Sequence, residues 1–171
     1  MKANIFKHKV LALGAASVVL AGASVLANAE TASASGYTWV SYSDGSCMDT
    51  TGAGTPSAGT AVISWPCRSG SATQGWYSAS DDYGRRTIRH ANTGLCLDIS
   101  GASTANGAAL ILWHCNSAWN QVWEARSPGS GWGGCVNLIN PTTGRAVDKP
   151  GGYGVQLAAY NSWHGANQVW C

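Results

Sequence analysis

The sequence predicts an all-β domain built from three repeats of about four strands each, related by pseudo-threefold symmetry. Three observations carry this expectation. The tripeptides Gln74-Gly75-Trp76, Gln121-Val122-Trp123 and Gln168-Val169-Trp170 stand 47 residues apart, twice over. An Asp recurs ahead of each, in Cys47-Met48-Asp49, Cys96-Leu97-Asp98 and Ala146-Val147-Asp148, at intervals of 49 and 50. Beyond the first 29 residues no stretch sustains the 3.6-residue apolar period of a helix, and Gly and Pro fall between short apolar runs.

The N-terminus stands apart from the repeats. Lys2, Lys7 and Lys9 precede an apolar run from Val10 to about Ala27, which ends in Ala27-Asn28-Ala29. A basic start, an apolar middle and small residues at an A-x-A site make residues 1–29 a secretory signal peptide. A membrane anchor fits less well, because Gly14, Ser17, Gly22 and Ser24 make a weak spanning helix. Residues 30–36 read as a short linker and 37–171 as the domain, with repeats at about 37–80, 81–128 and 129–171. Cleavage after Ala29 leaves 142 residues, enough for one core. It removes three of ten basic residues and none of the eight acidic ones, so the formal charge falls from +2 to −1. A near-neutral surface with scattered Arg68, Arg89 and Arg126 lacks the basic stripe that follows phosphates, which excludes nucleic acid as the expected partner.

Each repeat opens with a strand: Thr38–Tyr42, Arg86–His90 or Cys135–Ile139. A turn follows, at Asp44-Gly45, Asn92-Thr93-Gly94 or Pro141-Thr142-Thr143-Gly144. Next come the strand holding the Asp, a Gly/Ser/Ala loop, a strand running into an aromatic region, and a last strand at the Gln-x-Trp. That aromatic region reads Ile63-Ser64-Trp65-Pro66-Cys67, Ile111-Leu112-Trp113-His114-Cys115 and Gln156-Leu157-Ala158-Ala159-Tyr160. No single unit can bury a face alone, so the three share one core, with Trp76, Trp123 and Trp170 as its members. All six cysteines lie beyond the export segment, and an even count in an exported chain implies disulfides. Cys47–Cys67 and Cys96–Cys115 occupy equivalent places in repeats one and two. Cys135–Cys171 would then tie the third repeat's opening strand to the chain's end.

Three Gln-x-Trp elements, with C-x-D before them and W-x-C between, resemble the ricin B-chain type lectin domain, also found as a carbohydrate-binding module on bacterial glycosidases. The resemblance covers about Tyr37 to Cys171 and implies a β-trefoil fold with a shallow sugar pocket on each repeat. It implies that the Asp accepts hydrogen bonds from sugar hydroxyls and that the aromatic residue two before the second Cys stacks on the sugar. The Asn before Gln-x-Trp would add a polar contact, and the Gln would orient the Asp from behind. Galactose-containing or xylan-like glycans are the implied ligands. Strand parity agrees: Cys96 and Asp98 share a face, as do Trp113 and Cys115, so a bridge would set an acceptor beside an aromatic plate. Such a pair matches a pyranose, which carries hydroxyls on its rim and C–H groups on its flat face.

The three sites read unequally. Repeat two is the most complete, with Asp98, Trp113, Asn120 and Gln121, and Ile111 where a second polar contact could stand. Repeat one has Asp49, Trp65 and Gln74, but Thr73 replaces the Asn, so weaker binding is expected. Repeat three has Asp148, Asn167, Gln168 and a polar Gln156, with Ala158 at the aromatic position. Two readings of Tyr160 stand: it fills the space of the missing disulfide, or it serves as a displaced plate. Trp39, Trp119, Trp132 and Trp163 read as packing or loop anchors.

Other functions find less support. The Asp residues could cap turns, and the Gln residues could satisfy buried groups whatever the function. Asp81-Asp82 is followed by Tyr83-Gly84 and reads as a turn, not a catalytic pair. His90, His114 and His164 have no nucleophile signature, so no catalysis is expected. Cysteines and histidines do not cluster, so neither a metal nor another cofactor is expected. The domain is expected to act alone and as a monomer, with no membrane span after cleavage. The alternative is a secreted trefoil that binds or inhibits another protein through its loops.

Overall fold

The computed structural model describes residues 36–171; the expected signal peptide and all but the last residue of the expected linker lie outside them. The described residues form eleven strands: β1 (Cys47–Thr50), β2 (Val62–Trp65), β3 (Trp76–Ser80), β4 (Arg86–His90), β5 (Cys96–Ile99), β6 (Ala108–Trp113), β7 (Glu124–Arg126), β8 (Val136–Ile139), β9 (Arg145–Asp148), β10 (Ala158–Asn161) and β11 (Val169–Trp170). Single 3₁₀ turns occupy Ser100–Ala102, Trp119–Gln121 and Ala166–Gln168. No helix among the described residues is long and apolar enough to cross a membrane.

Two expected strands differ in detail. The opening strand over Thr38–Tyr42 is reduced to isolated bridges at Val40 and Ser41, with Tyr37 bridged just before it. Its backbone is nonetheless paired with the end of the domain. Val40 and Cys171 exchange N–H···O bonds of 3.1 and 2.8 Å, and the Tyr42 N–H donates to Val169 at 2.9 Å. The Gln of each Gln-x-Trp was expected on a strand. Gln121 and Gln168 instead close 3₁₀ turns, and Gln74 lies in a turn before β3. There each Gln side chain faces inward and is fully buried.

The repeats share one core. Trp76, Trp123 and Trp170 are buried, and each indole N–H donates to a backbone carbonyl three times over: Met48 at 3.0 Å, Leu97 at 2.9 Å and Val147 at 3.0 Å. A buried Trp needs such a partner for its polar edge. Burying roughly 150–250 Å² apiece, each ring supplies about 4–6 kcal/mol of transfer free energy as an upper estimate. Met48, Leu97 and Val147 form the next equivalent set, and Val62, Leu110 and Leu157 another, all fully buried.

The long strands of the three repeats meet one another. Ile111 of β6 bridges to Ala61, Ala158 of β10 pairs with Ala109 of β6, and Ile63 of β2 bridges to Gln156. Each contact joins a different pair of repeats, so the three close into a ring. The disulfides are Cys47–Cys67, Cys96–Cys115 and Cys135–Cys171, as the repeat positions led one to expect. Each closes a loop worth about 3–4 kcal/mol in the chain-entropy account.

Candidate functional site

The second repeat builds its site from β5 and β6. Their antiparallel register sets Asp98 opposite Ile111 and Cys96 opposite Trp113. Side chains of period two then place Asp98 and Trp113 on one face, one step apart. The carboxylate is held from behind. Its Oδ2 accepts hydrogen bonds from Gln121 Nε2 at 2.8 Å and Asn120 Nδ2 at 2.9 Å. Gln121 is itself fixed: Nε2 also donates to the His114 carbonyl at 2.9 Å, and Oε1 accepts from the Asn116 N–H at 3.0 Å. No described residue donates to Asp98 Oδ1. A shallow cavity of about 420 Å³ opens there, lined by Asp98, Ile111, Trp113, Asn116 and Asn120 among others. Burial pushes the Asp98 carboxyl above the ordinary 3.8, and the amide bonds from Gln121 and Asn120 offset only part of that.

The third repeat keeps the same backing. Asp148 Oδ2 accepts from Gln168 Nε2 at 2.8 Å and Asn167 Nδ2 at 3.0 Å. Burial raises this carboxyl too, and the bonds from Gln168 and Asn167 offset only part of that. Here the register corrects the sequence reading. Asp148 faces Ala158 and Ala146 faces Tyr160, so Tyr160 holds the place of Trp65 and Trp113. Ala158 corresponds to Ile63 and Ile111 instead. The three aromatic rings are equally exposed, at 40% for Trp65, 42% for Trp113 and 41% for Tyr160. Gln156 then matches Ala61 and Ala109, and its Nε2 donates to the Leu110 carbonyl at 3.0 Å, between repeats. It does not occupy the position opposite the Asp that was expected of it. Ser162 takes the place of Cys67 and Cys115, and its buried Oγ has no partner.

The missing cysteine explains the error. Without it to mark the register, Tyr160 was set at the place of Cys67 and Cys115, two residues beyond where it belongs, and Ala158 fell at the plate. Counting back from Gln-x-Trp works, because Trp113 and Tyr160 both lie eight residues before their Gln.

The first repeat carries the same parts with one replacement. Asp49 Oδ2 accepts from Gln74 Nε2 at 2.8 Å, and Gln74 Oε1 accepts from the Arg68 N–H at 2.8 Å. Thr73 cannot supply the amide that Asn120 and Asn167 provide. Arg68 supplies a donor instead: its Nη2 reaches Asp49 Oδ2 at 2.8 Å and Thr73 Oγ1 at 3.0 Å. The remaining carboxylate oxygen, Oδ1, accepts from the Thr50 N–H at 2.7 Å. A cavity of about 390 Å³ lies over Asp49, Trp65 and Arg68.

Sequence reasoning missed this position. Arg68, Asn116 and Trp163 are equivalent, since each donates its backbone N–H to the Gln of its own repeat. Trp163, expected as a loop anchor, is 62% exposed and sits over Gly165, where any added Cβ would strike its ring. Trp39 and Trp119 do pack on the core, and Trp132 meets Tyr42 edge-on.

Each aromatic plate is backed by a glycine from another repeat. Gly59 lies behind Trp113, Gly107 behind Tyr160 and Gly154 behind Trp65. All three have positive φ, at 90°, 84° and 79°. Each donates its N–H to the residue just before that plate: Leu112, Ala159 and Ser64. A site is therefore assembled from two repeats.

This threefold Asp–Gln–Trp frame matches the family described as the ricin-type beta-trefoil lectin domain, over residues 36–170. The chain belongs to that family. Ricin-type domains are carbohydrate-binding domains, so the Asp–plate pairs sit in a binding fold. Solved structures agree on the architecture. A designed threefold-symmetric protein, ThreeFoil, is 28% identical with a TM-score of 0.69, over 78% of this chain and 94% of that one. A ricin B-like lectin from Macrolepiota procera, solved with lactose, is 22% identical with a TM-score of 0.63, over 80% and 94%. The exo-beta-1,3-galactanase 1,3Gal43A from Clostridium thermocellum is 23% identical with a TM-score of 0.69, over 78% of this chain but only 29% of its own. Among the described residues of this ricin-type domain, no three His, Cys, Asp or Glu side chains converge as for a metal.

Proposed function

We propose that this domain is a secreted lectin that binds pyranose sugars or polysaccharides of the galactose or xylan type, without catalysis. The observation that carries this reading is the pairing of a buried carboxylate with an exposed ring. At Asp98, one oxygen is locked by Gln121 and Asn120, the other receives no donor from the described residues, and Trp113 stands beside it, 42% exposed. An acceptor held this rigidly meets sugar hydroxyls at little entropic cost, while the indole covers the C–H face. Repeat two is the strongest site on this reading, because its acceptor is open and its cavity well formed. Asp148 with Tyr160, Asn167 and Gln168 forms a second site of the same kind. Asp49 with Trp65 and Gln74 forms a third of altered chemistry. Several weak sites on one monomer gain strength on a repeating polymer. Export is supported by three disulfides, which persist in oxidising compartments.

The test is binding to a glycan array and to insoluble xylan and galactan. The wild-type domain is expected to bind, and Asp98→Ala to bind at least about tenfold more weakly at the second site. Equal binding by the wild type and Asp98→Ala to every glycan would refute the assignment.

A further inference from the structure

The first site differs from the other two in the sign of what it offers a ligand. In repeat two the carboxylate keeps an open acceptor oxygen. In repeat one both oxygens of Asp49 are occupied: Oδ2 by Gln74 and Arg68, Oδ1 by the Thr50 N–H. Asp49 is buried, and its Oδ1, which already accepts the Thr50 N–H, has one lone pair fewer to offer a ligand than that of Asp98. The Arg68 side chain, in contrast, is half exposed, at 50%. Two of its five N–H donors are spent, one on Asp49 and one on Thr73, both through Nη2. Its Nε–H and both Nη1–H groups remain, beside the Trp65 ring that lines the same cavity.

Charge points the same way. Arg68 and Asp49 together are neutral, whereas the pocket of Asp98 carries a full negative charge when ionised. Arg68 stands where Asn116 stands in repeat two and Trp163 in repeat three, so the frame is common to all three and the ligand chemistry is set at this position. Both parallel N–H pairs of a guanidinium include Nη2, so Arg68 meets an anion through a single charge-assisted bond from Nη1–H or Nε–H.

We propose that the first-repeat pocket takes an anionic pyranose, with its ring on Trp65 and its carboxylate or sulfate on a remaining Nη1–H or Nε–H of Arg68, while the second repeat takes neutral sugar. This rests on the lectin reading above. It adds that one domain bridges charged and neutral residues of a mixed polysaccharide.

The experiment follows the indole N–H resonances of Trp65 and Trp113 in ¹⁵N-labelled domain. The domain is titrated with xylose against glucuronate, and with galactose against galacturonate and galactose 6-sulfate. The expected result is that an acidic sugar moves Trp65 at about tenfold lower concentration than its neutral partner, as one added charge-assisted contact implies. Added salt should narrow that gap. Arg68→Gln should abolish it, and Arg68→Lys should retain part of it. Uronate and sulfate responses separate the two sources of charge. The proposal fails if neutral and acidic sugars move Trp65 equally, if no acidic sugar moves it, or if Arg68→Gln keeps the advantage. Response of Trp113 to neutral sugar in the same samples shows that each variant is folded. Loss of that response in wild type would sink the lectin reading itself, whereas failure at Trp65 alone sinks only the anionic site.

Discussion

Replacing Gly154 by Ala tests whether each plate depends on the neighbouring repeat. Gly59, Gly107 and Gly154 share one backbone conformation, with φ of 90°, 84° and 79°. A side chain in that region costs about 1–2 kcal/mol at any of the three. For a domain of this size that is a fall in Tm of roughly 3–8 °C. The steric surroundings differ. An added Cβ would lie 3.2 Å from Trp65 Cζ3 at Gly154, but 3.8 Å from Trp113 at Gly59 and 4.0 Å from Tyr160 at Gly107. The last two are ordinary contacts. The first forces a rigid indole to give by some tenths of an ångström, with an off-rotamer cost of about 0.5–1 kcal/mol. That corresponds to a two- to fivefold loss of affinity at the first site. Thermal unfolding should therefore rank Gly59→Ala and Gly107→Ala alike, with Gly154→Ala lower by the added strain. The Trp65 indole resonance should move in Gly154→Ala, while the Trp113 resonance stays put in Gly59→Ala. Equal displacement of both plates, or displacement of Trp113 by Gly154→Ala, would refute the cross-repeat reasoning.

Three further outcomes are expected. Tyr160→Ala should weaken sugar binding at the third site about tenfold, and Tyr160→Trp should preserve it, as read by chemical-shift titration with Asp148-proximal signals; an unchanged affinity in Tyr160→Ala would remove the residue from the site. The double substitution Ala146→Cys with Ser162→Cys should form a fourth disulfide, because those positions match Cys47–Cys67 and Cys96–Cys115. It should add up to about 3 kcal/mol, checked by thiol titration and denaturant unfolding. Two free thiols would contradict the register. Binding at the second and third sites should fall on acidification with a midpoint above 3.8, since burial raises Asp98 and Asp148 and a protonated carboxyl presents a donor in place of an acceptor. In stability the sign is opposite: the folded chain holds these two protons more tightly than the unfolded one, so both carboxyls lower stability as pH rises from 3.8 through their folded values. A pH titration of affinity with a midpoint at or below 3.8 would count against an acceptor role.

The repeats, the core tryptophans and the disulfide pairing were legible in the sequence. Each rests on a landmark that recurs at near-constant spacing, and a period is a property of the chain itself. Asp98, Trp113, Asn120 and Gln121 were legible for the same reason, with parity along two strands adding their common face. The loops between landmarks carry no such constraint, since their lengths vary freely while their ends stay fixed. Repeat three also lacks the cysteine that marks the register, which is why Ala158 was set where Tyr160 belongs, and why Gln156 was expected in a pocket when it joins two repeats. Other features existed only once the three units closed into a ring. Gly154 behind Trp65 and Gly59 behind Trp113 are contacts between residues about 50 to 90 positions apart. The occupation of Asp49 by Arg68 depends on a side chain folding back 19 residues, in place of the amide that Thr73 lacks. Sequence alone thus determined a threefold scaffold with three buried acceptors. Tertiary structure decided which acceptors remain open, because a hydrogen-bond donor can arrive from any segment that packing brings within 3 Å.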